Sequence, residues 1–283
     1  MAPSAHTDIS PLSQLMMRVD AVADGTATAD GIATGFPSLD KLLGGGLRRG
    51  DLIVLGGDVG VGKSALALAI ALRARSAGTA VEFMSGEMDV SRVLERVLAI
   101  EGKASVDQIR QGTLDDITRA ALGAAAFRLR DATPGISRLP AGGVAEVVAL
   151  AASHHPALLV VDSLQAMVGT AHGTLDDELA LAVRALKAHA LDAKVAVLVT
   201  AHVPSLDRNR ADLRPALDDF GARGAVKQLA DVVLGLFREE LYQPSPGHEG
   251  ATELAVLKNR SGPTSYVDLF YYKQWLRFED MVE

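Results

Sequence analysis

Leu52-Ile53-Val54-Leu55-Gly56-Gly57-Asp58-Val59-Gly60-Val61-Gly62-Lys63-Ser64 is the stretch on which the fold turns. An apolar run enters it, a glycine-rich turn fills it, and a helical pattern leaves it through Ser76. Gly57, Asp58, Val59, Gly60, Val61, Gly62, Lys63 and Ser64 satisfy G-x-x-x-x-G-K-[ST] between a strand and a helix. The chemistry explains the spacing. Glycines let successive backbone N–H groups turn inward as an anion nest, and the helix start adds its dipole. Lys63 would reach the β- and γ-phosphates, and the Ser64 hydroxyl would join a Mg²⁺ shell.

Working outward, short apolar runs alternate with helical patterns. The expected strands are Leu52–Gly56, Ala80–Met84, Phe127–Arg130, Ala157–Asp162, Val195–Thr200, Val232–Phe237 and Glu253–Leu257. The expected helices are Ser64–Ser76, Val90–Ala99, Ile117–Ala126, Val144–His154 and Leu175–Leu191. Runs such as Leu158-Leu159-Val160-Val161 are apolar on both faces, as a parallel sheet covered by helices requires. The expectation is a doubly wound α/β domain.

Two carboxylates complete the candidate site. Asp162 ends an apolar strand, where a P-loop fold holds its metal. Glu87, in Met84-Ser85-Gly86-Glu87-Met88, follows a strand expected beside the P-loop strand, so it would face the same crevice as a water-activating base. The alternative is that Glu87 only favours the start of the following helix.

Composition narrows the class. The 283 residues are 48% hydrophobic and 22% charged, an ordinary globular balance, with 4% aromatic. Lys+Arg 28 against Asp+Glu 35 gives a net charge of −7, which argues against a general nucleic-acid-binding field. There is no cysteine, which removes thiol catalysis and cysteine-ligated zinc. Met1–Ser10 has neither a basic nor an apolar run, and no apolar stretch reaches the ~18 residues of a membrane span. A cytoplasmic protein without a membrane partner is expected.

Residues 1–33 read as a separate arm before a domain over 34–283. Ser10-Pro11 is a helix-start pattern, and Leu12, Leu15, Met16, Val19, Val22 and Ala23 recur at helical spacing before Gly25. That amphipathic helix either folds back on its own domain or docks on a neighbouring subunit.

Taken together, these residues resemble the C-terminal RecA-like ATPase domain of the DnaB-type replicative DNA helicases. The likeness starts at Thr34-Gly35-Phe36-Pro37-Ser38-Leu39-Asp40. It continues through Ser85-Gly86-Glu87-Met88, Asp131-Ala132-Thr133-Pro134-Gly135, Val161-Asp162-Ser163-Leu164-Gln165, Ala185-Leu186-Lys187-Ala188 and Gln228-Leu229-Ala230-Asp231. It closes on Leu257-Lys258-Asn259-Arg260-Ser261-Gly262-Pro263-Thr264, similar to the family's K-x-R-x-G-P-T segment. The resemblance implies ATP and Mg²⁺ as ligands and a homo-hexamer with nucleotide sites between subunits. Glu87 would be the base and Asp162 the metal-side carboxylate. His202, where the family usually has Gln, would sense the γ-phosphate. Lys258 and Arg260 would reach the neighbour's site, with Arg260 as the arginine finger. Pro11–Asp24 falls where the family keeps its linker helix, and the length leaves no room for the family's N-terminal primase-binding domain.

The loops expected to grip single-stranded DNA depart from the family. Val168–Val183 contains no Lys or Arg, and carries Asp176, Asp177 and Glu178 instead. Thr174-x-x-Asp177 reads as a capping box, but acids cannot neutralise phosphates. Val203–Arg214 offers Arg208, Arg210 and Arg214, either a track for a strand backbone or a solvated loop. Gly221 stands where the family commonly has Arg, with Arg223 two positions on. Two readings follow: a minimal DnaB-like DNA helicase or translocase, or a RecA-like ring, similar to the RadA and KaiC branches, acting as a switch or remodelling assembly.

Overall fold

A computed structural model describes residues 10–27, 30–169, 174–244 and 247–281. In chain order these contain α1 (Pro11–Ala23), β1 (Gly31–Ile32), α2 (Pro37–Leu42), β2 (Leu47–Arg48), β3 (Leu52–Gly57), α3 (Lys63–Ser76) and β4 (Val81–Ser85). Next come α4 (Val90–Gly102), α5 (Val106–Gln111), α6 (Asp116–Leu129), β5 (Gly135–Arg138), α7 (Val144–His154), β6 (Leu158–Asp162), α8 (Leu175–Ala193) and β7 (Ala196–His202). The chain ends with α9 (Ala225–Leu229), β8 (Val232–Phe237), β9 (Ala251–Asn259), β10 (Ser265–Tyr272) and β11 (Arg277–Asp280).

One nine-stranded sheet organises the domain, in the order β11-β10-β9-β8-β3-β7-β6-β4-β5. From β8 through β5 every pairing is parallel, and β9, β10 and β11 extend the sheet antiparallel beyond β8. Strand alternation feeds two cores. Ile53, Leu55, Phe83, Val160 and Leu198 pack with α3 and α4, while Leu52, Val54, Met84, Val161 and Val199 pack with α7, α8 and α9. Helix α3 is buried nearly all round; its alanines at 65, 67, 69, 71 and 74 let it sit close to the sheet.

Two sequence expectations are corrected. Phe127–Arg130 is not a strand: residues through Leu129 are the last turn of α6, an Ala-rich helix opened by the Asp115 side chain accepting from the Thr118 N–H. Phe127 is 71% exposed. The sheet edge is formed instead by β5, just past Pro134. Strand β4 is not beside the P-loop strand either, because β7 and β6 lie between them.

Helix α1 forms where the pattern places it, with the Ser10 hydroxyl accepting from the Ser13 N–H. None of its residues is buried, and Leu12, Leu15, Met16 and Val19 are each at least half exposed. Its apolar face therefore does not fold onto the described residues of its own domain.

Candidate nucleotide site

The crevice lies at the carboxyl ends of the parallel strands. Strand β3 ends at Gly57, the P-loop turns, and α3 begins at Lys63. Gly62 caps that helix at φ 106°, and a Cβ there would meet the Phe278 ring at 2.9 Å, so both backbone and space demand glycine. Lys63 Nζ donates to Gly57 O at 3.1 Å and Asp58 O at 2.9 Å. Burial pushes its ammonium down from the ordinary lysine range, against the pull of the Asp162, Glu87 and Asp58 carboxylates. Phosphate oxygens in the loop would exchange these neutral carbonyl partners for anionic ones.

Asp162 holds the centre. Its Oδ1 accepts from Ser64 Oγ at 2.9 Å and Thr200 Oγ1 at 2.6 Å. Its Oδ2 is buried with no hydrogen-bond partner. Burial raises the carboxyl, against the hydrogen bonds from Thr200 and Ser64, and Glu87 raises it further. A buried carboxylate with one unsatisfied oxygen beside a serine hydroxyl is a donor set that fits Mg²⁺. The next residue, Ser163, donates its hydroxyl to Glu87 Oε1 at 2.9 Å. His202 Nε2 lies 3.8 Å from the same oxygen. Burial lowers the imidazole and nearby Lys63 lowers it further, against the pull of the Glu87 and Asp162 carboxylates. His202 Nδ1 and Gln165 Nε2 are buried without a partner, while the His202 N–H donates to Gln165 Oε1 at 3.1 Å.

The structure thus brings Lys63, Ser64, Glu87, Asp162 and His202 to one crevice, although Glu87 arrives from a strand three places from β3. Sequence reasoning missed Thr200, Ser163, Arg96, Tyr271 and Leu276, which line it too. Thr200 carried a signal: a polar residue ending an otherwise apolar strand. Tyr271 and Leu276 come from the antiparallel edge, for which no local chemical pattern existed.

Lys258 and Arg260 do not line this crevice. They lie at the far end of the sheet, where Val233 pairs with Lys258 and Arg260 N–H donates to Asp231 O. Gly57, by contrast, pairs with Leu236. Lys258 Nζ donates to Lys227 O and Gln228 O, and Arg260 pairs with Asp231 while 54% exposed.

The arginines of Val203–Arg214 are each paired with a carboxylate. Arg210 contacts Asp219 at 2.8 Å, and Arg214 contacts Glu253 at 3.0 Å and stacks its guanidinium over Phe237. Arg208 reaches back to Asp58 of the P-loop at 2.8 Å, on the oxygen that also accepts from the Val59 N–H. Tyr242 OH donates to the other oxygen at 2.9 Å. Burial would raise Asp58, but the hydrogen bonds from Arg208, Val59 N–H and Tyr242 hold it below the usual carboxylate range; Tyr242 is pushed up to about 12 by burial and by Asp58. Removing Arg208 would leave an uncompensated carboxylate beside the incoming phosphates. Arg208→Ala should weaken binding of a fluorescent ATP analogue a few-fold, the scale of a half-exposed ion pair, while Arg210→Ala should not. Equal affinities in the two variants would refute the link.

Of the Val168–Val183 segment, residues 170–173 lie outside the described residues. Among the rest, Asp176 accepts from Ala222 N–H at 2.5 Å and Arg223 N–H at 2.9 Å, and Asp177 pairs with the Arg223 side chain. Ala222 and Arg223 have φ of 51° and 47°, so the acids hold a left-handed turn that side chains disfavour.

A family profile described as the DnaB-like helicase C terminal domain matches residues 31–280. The chain belongs to this family. The replicative DNA helicase DnaB of Leifsonia xyli subsp. xyli is 33% identical over 264 residues, covering 91% of this chain and 57% of that protein. The replicative DNA helicase DnaB of Geobacillus stearothermophilus is 30% identical over 265 residues, covering 91% of this chain and 58% of that protein. The chain therefore spans somewhat over half the length of these DnaB relatives. Among solved structures, an isolated ATPase domain superposes with a TM-score of 0.87 at 22% identity, covering 97% of this chain and 100% of that one. A DnaB-like replicative helicase, whose structure was described with its interactions with primase, gives 0.86 at 21%, covering 97% and 68%. These superpositions establish the RecA-like fold of the DnaB-type ATPase domain. No helix among the described residues is long and apolar enough to cross a membrane.

Proposed function

We propose that the chain is an ATP-hydrolysing motor of the DnaB type, acting as a ring of six on single-stranded DNA. The observation that carries the hydrolytic reading is the unsatisfied Oδ2 of Asp162 beside Ser64, with Lys63 and Glu87 in the same crevice. Ser64 and Asp162 would hold Mg²⁺, which when bound supplies positive charge to the phosphates. The P-loop N–H groups and Lys63 bind and orient the triphosphate. Glu87, held by Ser163, accepts a proton from the attacking water, and His202 offers a hydrogen bond to the γ-phosphate. Positive charge on the transferring group is still needed, because phosphoryl transfer is catalysed mainly by electrostatic stabilisation.

Besides Lys63 and Arg96, which line the crevice, Lys258 and Arg260 are candidate cations, and their place at the far end of the sheet supports service to a neighbour's crevice rather than their own. The exposed apolar face of α1 supports subunit contact. We place the arm at residues 1–33 and the motor domain at 34–283.

Arg208, Arg210 and Arg214 would grip DNA only by exchanging their carboxylate partners for phosphates. Together with the absence of Lys and Arg from Val168–Val183, that pairing favours a second reading, a RecA-like switch or remodelling ring without a strand. Stimulation of ATP hydrolysis by single-stranded DNA separates the two. On the helicase reading, turnover rises with added strand at low salt, and the effect fades as salt competes for phosphate contacts. Neither binding nor stimulation at low salt would leave the switch reading in its place.

A further inference from the structure

Asp231 lies just before β8, with its side chain only 5% exposed. Its Oδ2 accepts from Lys187 Nζ at 2.5 Å and from the Leu52 N–H at 2.8 Å. Its Oδ1 pairs with Arg260 Nε at 2.8 Å, and its backbone O accepts from the Arg260 N–H at 2.8 Å. Lys187 Nζ donates in addition to Gly50 O at 2.9 Å. One buried carboxylate thus fixes the arginine, a lysine of α8 and the first residue of the P-loop strand.

The way Arg260 is held matters. A guanidinium is a rigid fork, and anchoring it through Nε leaves its two Nη groups at the outward end. Among the described residues, the one hydrogen bond from those groups is a long contact of Nη2 with Gln228 O at 3.5 Å. Apart from that one long contact, the donors suited to a phosphate are free of partners among the described residues, on a side chain 54% exposed. The arginine's own crevice is out of reach: from Leu52 to Gly57 the strand covers about 16 Å at 3.3 Å per residue. Lys187 balances the charge, so the buried carboxylate keeps a cation when the fork engages a phosphate.

We infer that Asp231 is the positioning residue of Arg260, aiming the fork at a second copy's nucleotide from a charge cluster built on the first residue of its own P-loop strand. The inference rests on the reading of Arg260 as acting in trans. Because Leu52 opens the strand that ends in the P-loop, Asp231 links each subunit's finger to the strand that carries its own phosphate cradle. A shift of that strand on nucleotide binding would move the finger that serves the next site.

The test uses full-length Asp231→Asn, which keeps an acceptor for the Leu52 N–H but loses the charge that holds Arg260. Nucleotide affinity should stay at the wild-type value, and kcat should fall by about 10- to 100-fold, the scale of losing one interaction with a charged group. Mixed with Lys63→Ala subunits, Asp231→Asn subunits should regain turnover at junctions where their intact P-loop meets an intact finger. Arg260→Ala mixed with Lys63→Ala is run alongside. If that control shows no rescue, the trans reading itself fails. If the control is rescued while Asp231→Asn hydrolyses at the wild-type rate, loses nucleotide affinity or gains nothing from mixing, the positioning role is overturned. Should Asp231→Asn not fold, Asp231→Glu keeps the charge and displaces the carboxylate by one methylene. Reduced kcat at unchanged affinity supports the role, and wild-type kcat overturns it.

Discussion

Arg260→Ala is expected to lower turnover by about 10³–10⁵-fold, the range for a cation supplied across an interface to a transferring phosphoryl group, while each subunit should still bind ATP. The residues lining the crevice include Lys63 and Arg96 as cations, and neither Lys258 nor Arg260 is among them. On the proposed reading Lys63 would meet the phosphates already in the ground state, so its contribution would be divided between binding and catalysis. Arg260 touches no group of its own P-loop, so its removal should fall on kcat rather than on affinity. Lys258→Ala should cost less, because its Nζ donates to two backbone carbonyls of α9. The decisive measurement is single-turnover hydrolysis beside equilibrium binding of an ATP analogue. A variant that loses affinity but hydrolyses bound nucleotide at the wild-type rate would remove Arg260 from the chemistry.

Much of this site was legible before any coordinates, for physical reasons. The P-loop is local: its glycines, lysine and serine must be adjacent to build one nest, so spacing alone reveals them. Asp162 was legible because a carboxylate ending a doubly buried strand has nowhere to go but the rim. The order of the strands was not legible. Glu87 reaches the crevice although β7 and β6 separate its strand from β3, because the carboxyl ends of all the parallel strands share one rim. Of the antiparallel strands, β9 was expected over Glu253–Leu257, while β10 and β11 were missed: β10 buries only alternate residues, whereas β3 is buried throughout. Phe127–Arg130 misled because an aromatic and a leucine between arginines mimic strand alternation, whereas the Ala-rich run before them continues a helix. Pairings such as Arg208 with Asp58 join residues 150 apart and leave no local pattern. The acids of Val168–Val183 look hostile to any partner in the sequence, yet in the fold Asp176 and Asp177 hold the turn at Ala222 and Arg223.

Glu87→Gln is expected to keep ATP binding and to lose about 10²–10⁴-fold in the chemical step, the usual worth of a positioned general base. The substitution preserves shape and the acceptor at Oε1, so Ser163 can still donate to it as it does at 2.9 Å. What disappears is basicity, together with one negative charge facing Lys63 and Asp162. The Glu87 charge contributes to the upward shift of Asp162, as a like charge does when no cation lies between the two. Removing the Glu87 charge should therefore leave ATP affinity intact or slightly tighter, since the phosphates then meet one anion fewer. Tighter binding with slower hydrolysis is the signature to look for in single-turnover experiments. Hydrolysis near the wild-type rate would place the base elsewhere. Asp162 is a poor substitute, because its Oδ1 is shared by the Ser64 and Thr200 hydroxyls and its Oδ2 is the atom suited to the metal. Among the described lining residues no third carboxylate stands ready, so a wild-type rate would point to water activated by the phosphate itself.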